Sequence, residues 1–217
     1  MRWRDVLFAH WPVDPETVRP RLPAGLDPDV RDGRAWLGVV AFVMEDLRPI
    51  GLPVGRSFPE LNLRTYVDGE AGPGIYFFSL DADDRLGVPV ARRLFRLPYY
   101  RAETAVHREG PDVAFRSRRI HRGQPSLAFD ATYGPASGGF DGELAGFLTE
   151  RYRFYAGGDA RLYVGEINHE PWPLRPGRAE LRRNDCFRAN GFDHPGGEPL
   201  VHYSPTVGVR AERLARL

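Results

Sequence analysis

Proline and glycine set the first limit on this chain. The 217 residues include 20 prolines and 24 glycines, about a fifth of the whole, and they fall between short apolar segments. A long helix tolerates neither well: proline lacks an N–H and clashes with the preceding turn, and glycine loses too much backbone entropy. The spacing predicts many short strands joined by turns rather than a helical bundle. Strands are expected at Asp5–Trp11, Ala35–Met44, Glu60–Val67, Gly74–Leu80, Tyr99–Arg108, Asp112–His121, Ser126–Tyr133, Arg161–Pro171 and Leu200–Val209. The stretch Asp68–Pro73 reads as a hairpin turn. Three helices interrupt the pattern. One is capped by Asp14 with Pro15 behind it and stops near Pro20–Pro23. The second is capped by Asp83 or Asp84, kinked at Pro89 and ended at Pro98. The third runs from Asp141 to about Tyr155, with an apolar stripe of Leu144, Phe147, Leu148 and Tyr152, and ends at Gly157-Gly158. A mostly-β (α+β) single domain over residues 1–217 follows, most economically a closed or nearly closed antiparallel barrel, which leaves no long exposed edge.

Composition narrows the partners. Apolar residues at 42% mark a globular protein. Thirty basic residues oppose 29 acidic ones, scattered along the chain with no basic block, so no nucleic-acid partner is expected. No apolar run approaches the ~20 residues of a membrane span, and the first residues lack the apolar stretch of a signal peptide. A soluble protein with no membrane partner is expected. The single cysteine, Cys186, allows no intrachain disulfide and fits a reducing cytoplasm; it reads as a buried thiol rather than a nucleophile. Association into a homo-oligomer stays open, with no motif behind it.

All thirty basic residues are arginine; the chain has no lysine. Imine chemistry on carbonyl substrates needs an amine that deprotonates near neutral pH, and a guanidinium cannot serve. Only the N-terminal amine is left for that role.

Among candidate sites the strand Phe58–Val67 is the most informative. Alternation puts Glu60, Asn62, Arg64 and Tyr66 on one face and Leu61, Leu63, Thr65 and Val67 on the other. The polar face reads either as the solvated side of a sheet or as the lining of a cavity. In the second case Glu60 and Arg64 can pair, and Arg64 offers a fork to a substrate carboxylate. The carboxylates Asp81, Asp83 and Asp84 lack the remaining ligands and glycine of a calcium loop and read better as helix caps. Tyr99 and Tyr100 begin a strand with opposite-facing side chains, so one phenol is expected to face inward. The six histidines, at positions 10, 107, 121, 169, 194 and 202, show no metal-ligand spacing. Neither a metal nor an organic cofactor is expected, since no nucleotide-binding or hydrolase motif occurs. In His169-Glu170-Pro171-Trp172 an imidazole, an acid and an indole adjoin a proline-ended strand, which fits a rim strand or a pocket wall equally well.

The chain resembles the YqjF-like family of uncharacterised bacterial proteins, within the acetoacetate decarboxylase-like superfamily. The resemblance is carried by His10-Trp11-Pro12, Leu22-Pro23-x-Gly25-Leu26, Asp32-Gly33-Arg34-Ala35-Trp36, Phe58 to Val67 and Tyr76 to Asp83. It continues through Leu97-Pro98-Tyr99-Tyr100, Phe147 to Tyr152 and His169-Glu170-Pro171-Trp172. It implies a cone-like β-barrel with peripheral helices and an internal cavity. Acetoacetate decarboxylase itself is similar at a greater distance. By that similarity Glu60 looks like a pocket glutamate and Ala91-Arg92 like a Gly-Arg pair, which brings in Arg92. Tyr99 and Tyr100 occupy the segment that holds the Schiff-base lysine and its lysine neighbour. A second pocket glutamate falls near Gly38-Val39 and is not retained. The resemblance therefore implies the fold and contradicts the decarboxylase mechanism.

The expected function is binding of a small acidic or carbonyl-bearing molecule in the barrel cavity. Glu60 would act as general acid or base and Tyr99 as a hydrogen-bond donor to a carbonyl or enolate oxygen. Arg64 would anchor an anion, with Tyr66, Asn62, Tyr100, Arg92, His169 and Glu170 as further binding candidates. That set suits proton transfer beside a carbonyl, hydration, dehydration or tautomerisation without an imine. A non-enzymatic binder or sensor, and a barrel filled by its own side chains, are the alternatives.

Overall fold

The computed structural model describes residues 1–48, 55–158, 161–212 and 214–217. Its strands are β1 (Arg2–Val13), β2 (Leu26–Pro28), β3 (Ala35–Leu47), β4 (Arg56–Gly69), β5 (Gly74–Ala82), β6 (Tyr99–Glu109), β7 (Asp112–Arg119), β8 (Ala128–Pro135), β9 (Arg153–Gly158), β10 (Arg161–His169), β11 (Arg175–Asn184), β12 (Leu200–Ala211) and β13 (Ala215–Arg216). Four α-helices accompany them: α1 (Pro15–Val18), α2 (Gly87–Phe95), α3 (Gly142–Thr149) and α4 (Cys186–Ala189). No helix among the described residues is long and apolar enough to cross a membrane.

The strands form one sheet that closes on itself twice. In order β5-β6-β7-β8-β11-β12-β1-β3-β4, nine strands return to β5 through the β4–β5 pair. A second ring leaves β5 by its pairing with β9, passes through β10, and rejoins the first at β12 through Ile167↔Ala211 and His169↔Val209. The two rings share the wall β12-β1-β3-β4-β5, so alternate side chains on those strands enter different interiors. On β1, Leu7, Ala9 and Trp11 enter the nine-strand ring, while Val6 and Phe8 enter the other. On β4, Leu61 and Leu63 join the first core, leaving Glu60, Asn62 and Arg64 for the second interior. Phe115, Phe129, Tyr133 and Phe187 help to fill the nine-strand ring.

Several expectations are refined. The barrel is mixed rather than antiparallel: β5 pairs in parallel with both β6 and β9. The first of these pairs needs a crossover, which α2 supplies. The α2 helix starts later than its acidic residues suggest, because Asp84 turns back to accept from the backbone N–H groups of Leu86 and Gly87. Pro89 then falls in the first turn, where its missing N–H costs nothing, and it does not kink the helix. The α3 helix stops at Thr149 rather than Tyr155. Residues 153–158 instead become β9, whose Gly157 takes φ +104 at the hairpin into β10. The expected turn after β4 is present, with Gly72 at φ +92 donating to the Gly69 carbonyl at 2.8 Å. Asp14 caps α1 by accepting from Glu16 N at 2.9 Å. Strands β2, β9, β11 and β13 and helix α4 were not anticipated from the sequence.

Candidate functional site

The second ring encloses a cavity of about 150 Å³. Its wall is mainly apolar, built from Trp3, Phe8, Phe42, Met44, Phe58 and Phe77 among others, and α2 covers part of it through Val88, Ala91 and Phe95. Five candidates from the sequence line this space: Glu60, Asn62, Arg64, Tyr99 and His169.

Glu60 lies mid-strand on β4, paired with Phe42 on β3 and Ala82 on β5, and is only 3% exposed. The Tyr99 hydroxyl donates to its Oε2 at 2.9 Å, and the Asn62 amide approaches Oε1 at 3.4 Å. Burial lifts the Glu60 carboxyl to about 7, partly opposed by those two hydrogen bonds. The acid is therefore poised to hold or release a proton near neutrality. Tyr99 moves well above the usual phenol range because it is enclosed and faces a carboxyl, so it stays a hydrogen-bond donor. The register Leu80↔Tyr99 between β5 and β6 turns this phenol inward.

Arg64 is 5% exposed and forms no ion pair among the described residues; Glu60 and Arg64 do not pair, contrary to expectation. Its Nη2 donates to the Leu148 carbonyl at 3.1 Å and to the Tyr66 hydroxyl at 3.3 Å. Its Nε has no partner among the described residues. The same holds for three other buried atoms on residues lining the cavity: Asn62 Oδ1, His169 Nε2 and Trp3 Nε1. Buried polar atoms are satisfied in the great majority of folded proteins, and four without a partner among the described residues lie on residues that line this one cavity.

Tyr66 faces the same side as Arg64 but lies behind the cavity wall. Its hydroxyl donates to the Leu148 carbonyl at 2.7 Å and meets His10 Nε2 at 2.7 Å. Burial and the nearby Arg64 charge hold His10 well below the usual imidazole range, so it is neutral. The imidazole fills space beside Gly38: a Cβ on Gly38 would meet His10 Cδ2 at 3.0 Å. Room for a longer side chain at position 38 is therefore taken by His10.

Tyr100, Arg92 and Glu170 lie outside the cavity. Tyr100 points to the far side of β6, where the Arg119 guanidinium sits 4.1 Å from its ring centroid and that of Arg92 5.3 Å. Arg92 is exposed and donates to the Tyr99 backbone carbonyl. Glu170 is exposed, and its backbone carbonyl lies 2.8 Å from His169 Nδ1. His169 stacks on Tyr152 and tilts against Trp172, whose indole donates to the Thr149 carbonyl at 3.0 Å. Sequence reasoning missed Arg151, a buried cavity residue held by Asp29 at 2.7 Å and by the Phe147 carbonyl. No local pattern announces it, because Asp29 is more than a hundred residues away.

The three carboxylates considered for a cation each have other work. Asp81 takes a two-point bond from Arg119 at 2.7 Å, Asp83 accepts from Thr104, and Asp84 accepts from the Leu86 and Gly87 N–H groups and pairs with Arg56. No cluster of three or more candidate metal ligands occurs among the described residues. Burial pushes the Cys186 thiol up, which keeps it protonated and unreactive.

Comparison with known proteins agrees with this architecture. Residues 1–208 match the family DUF2071, described as an uncharacterized conserved protein. The uncharacterized protein YqjF of Bacillus subtilis is 44% identical over 213 residues, covering 95% of this chain and 87% of that one. An acetoacetate decarboxylase-like enzyme from Sphingomonas wittichii superposes with a TM-score of 0.64 at 20% identity, covering all of this chain and 91% of that chain. Acetoacetate decarboxylase from Legionella pneumophila gives 0.67 at 13% identity, with 100% and 86% covered. The enduracididine biosynthesis enzyme MppR, solved with pyruvate, gives 0.65 at 15% identity, with 99% and 88% covered. These last three show a shared fold.

Proposed function

We propose that this chain, which belongs to the DUF2071 family of uncharacterized conserved proteins, binds a small carbonyl-bearing organic acid in the second ring and moves a proton on it through Glu60. The observation that carries this reading is buried Glu60, hydrogen-bonded to half-buried Tyr99 and facing a cavity that also holds a guanidinium with no carboxylate partner among the described residues. In its ionised form Glu60 takes a proton from the carbon next to the carbonyl. The electron pair moves to the carbonyl oxygen, and the enolate accepts a hydrogen bond from the Tyr99 hydroxyl. Return of the proton to carbon or oxygen completes an exchange or a tautomerisation. Tyr99 has one proton to give. Turning it toward the substrate oxygen withdraws it from Glu60 Oε2 and makes the carboxylate a stronger base at the moment it is needed. No lysine imine enters, since the chain has no lysine. The pyruvate complex of MppR, on the same fold, is consistent with a small organic acid as guest.

Deuterium exchange at the carbon beside the carbonyl, followed by NMR across a panel of keto acids, tests the role of Glu60. The wild-type protein should accelerate exchange, and Glu60→Gln should lose roughly 10²-fold or more while still binding. Equal exchange in both proteins would remove Glu60 from the chemistry. The mainly apolar wall favours a second reading, a non-enzymatic binder. It predicts tight binding with no exchange in either protein.

A further inference from the structure

The positions of Arg64 and Glu60 constrain the shape of the guest. They stand four residues apart on one face of β4, a backbone separation of roughly 13 Å, with Asn62 between them. Their side chains do not close that gap. Arg64 leans toward α3, where its Nη2 meets the Leu148 carbonyl and Tyr66, and its Cζ lies 5.4 Å from the Phe8 ring centroid. Glu60 is held the other way, by Tyr99 on β6. The wall around these two groups is apolar: Phe8, Val40, Phe42, Phe77 and Leu80 all line the same cavity. One end thus suits an anion, the other suits a carbonyl that exchanges a proton, and the middle suits hydrocarbon.

We propose that the natural guest carries its carboxylate and its reacting carbonyl at opposite ends of an apolar spacer, rather than on adjacent or once-removed carbons. This rests on the preceding reading of the cavity and deepens it. The volume bounds the whole guest, since an apolar cavity of ~150 Å³ takes a body of about benzene size. That limits the spacer to a few methylenes. A short 2-oxo or 3-oxo acid held by Arg64 would leave its carbonyl short of Glu60 and Tyr99. Held instead at Glu60, it would set its carboxylate against a carboxyl group, in an apolar wall, with Arg64 out of reach.

Isothermal titration with three probes tests this in the wild-type protein and in Arg64→Met. The probes are 5-oxohexanoate, acetoacetate and the neutral ketone 2-hexanone. The expected result is 5-oxohexanoate binding at least about tenfold tighter than acetoacetate, losing about tenfold or more in Arg64→Met, with 2-hexanone indifferent to the substitution. Acetoacetate binding as tightly as 5-oxohexanoate, with both dependent on Arg64, would overturn the spacing and leave the anion anchor standing. Acid binding that ignores Arg64→Met, or no acid binding at all, would overturn both. Arg64→Gln, which keeps a hydrogen-bond donor without the charge, serves as the second variant if Arg64→Met does not fold.

Discussion

The two interiors share five strands yet differ in two buried charges, Glu60 and Arg64. In and around the nine-strand ring, charges are paired. Asp81 faces the Arg119 guanidinium through two 2.7 Å contacts, and fully buried Asp5 is met by Arg4, Arg108 and the Tyr203 hydroxyl. In the smaller ring, the lining residues Arg151 and Asp84 are paired with Asp29 and Arg56, but among the described residues Glu60 has only neutral partners and Arg64 has no carboxylate. A buried ion pair with its hydrogen bonds satisfied is compatible with structure alone. A buried carboxyl and a buried guanidinium left without an ion-pair partner on one strand face are expensive, and such groups collect at functional sites. The same wall thus carries a structural interior on one side and a candidate site on the other.

The sharpest way to break this comparison is to remove one arginine from each side. Arg119→Met leaves Asp81 buried without its counter-charge and should cost about 3–5 kcal/mol in urea unfolding. Arg64→Met strands no carboxylate, and Tyr66 still donates to the Leu148 carbonyl, so its effect should stay within about 1 kcal/mol. Similar losses in the two variants would mean that Arg64 is structural after all.

A smaller effect is expected from pH. The folded Glu60 carboxyl sits above its unfolded value, so its contribution to stability is complete below about pH 4.5 and is lost as pH rises through about 7. The full loss is on the order of 3 kcal/mol. The difference between wild-type and Glu60→Gln unfolding free energies should therefore change by that amount between pH 4 and pH 8. A constant difference would remove the strain assigned to Glu60.

Much of the candidate site was legible because β4 alternates strictly: Glu60, Asn62 and Arg64 share a face through the two-residue period alone. The same rule placed Tyr66 with them but could not show that α3 would cover it. Period also required Tyr99 and Tyr100 to face opposite ways, whereas which one turned inward depended on their register against β5. The second ring, and strand β11 of the nine-strand ring, were hidden for different reasons. Residues 151–155 extend the helical stripe of α3 as plausibly as they start a strand, and pairing with β10 and with Ile75 and Tyr76 of β5 decides for β9. The β11 segment is rich in arginine and contains Pro176-Gly177, so it lacks the apolar alternation that announces a strand. With β9 unseen, a single closed barrel was the natural expectation, and the cavity had to be placed in its one interior. The family resemblance, likewise, fixes the architecture but not which side of the shared wall stays open.

The central claim is that Glu60 exchanges its proton near neutrality inside the smaller ring. Isotope-edited infrared spectroscopy, taken as the wild-type minus Glu60→Gln difference across pH, reads that carboxyl directly. A protonated carboxyl band that persists through pH 6 and titrates with a midpoint near 7 is the predicted result. A band already lost by pH 5, as for a solvated glutamate, would contradict it.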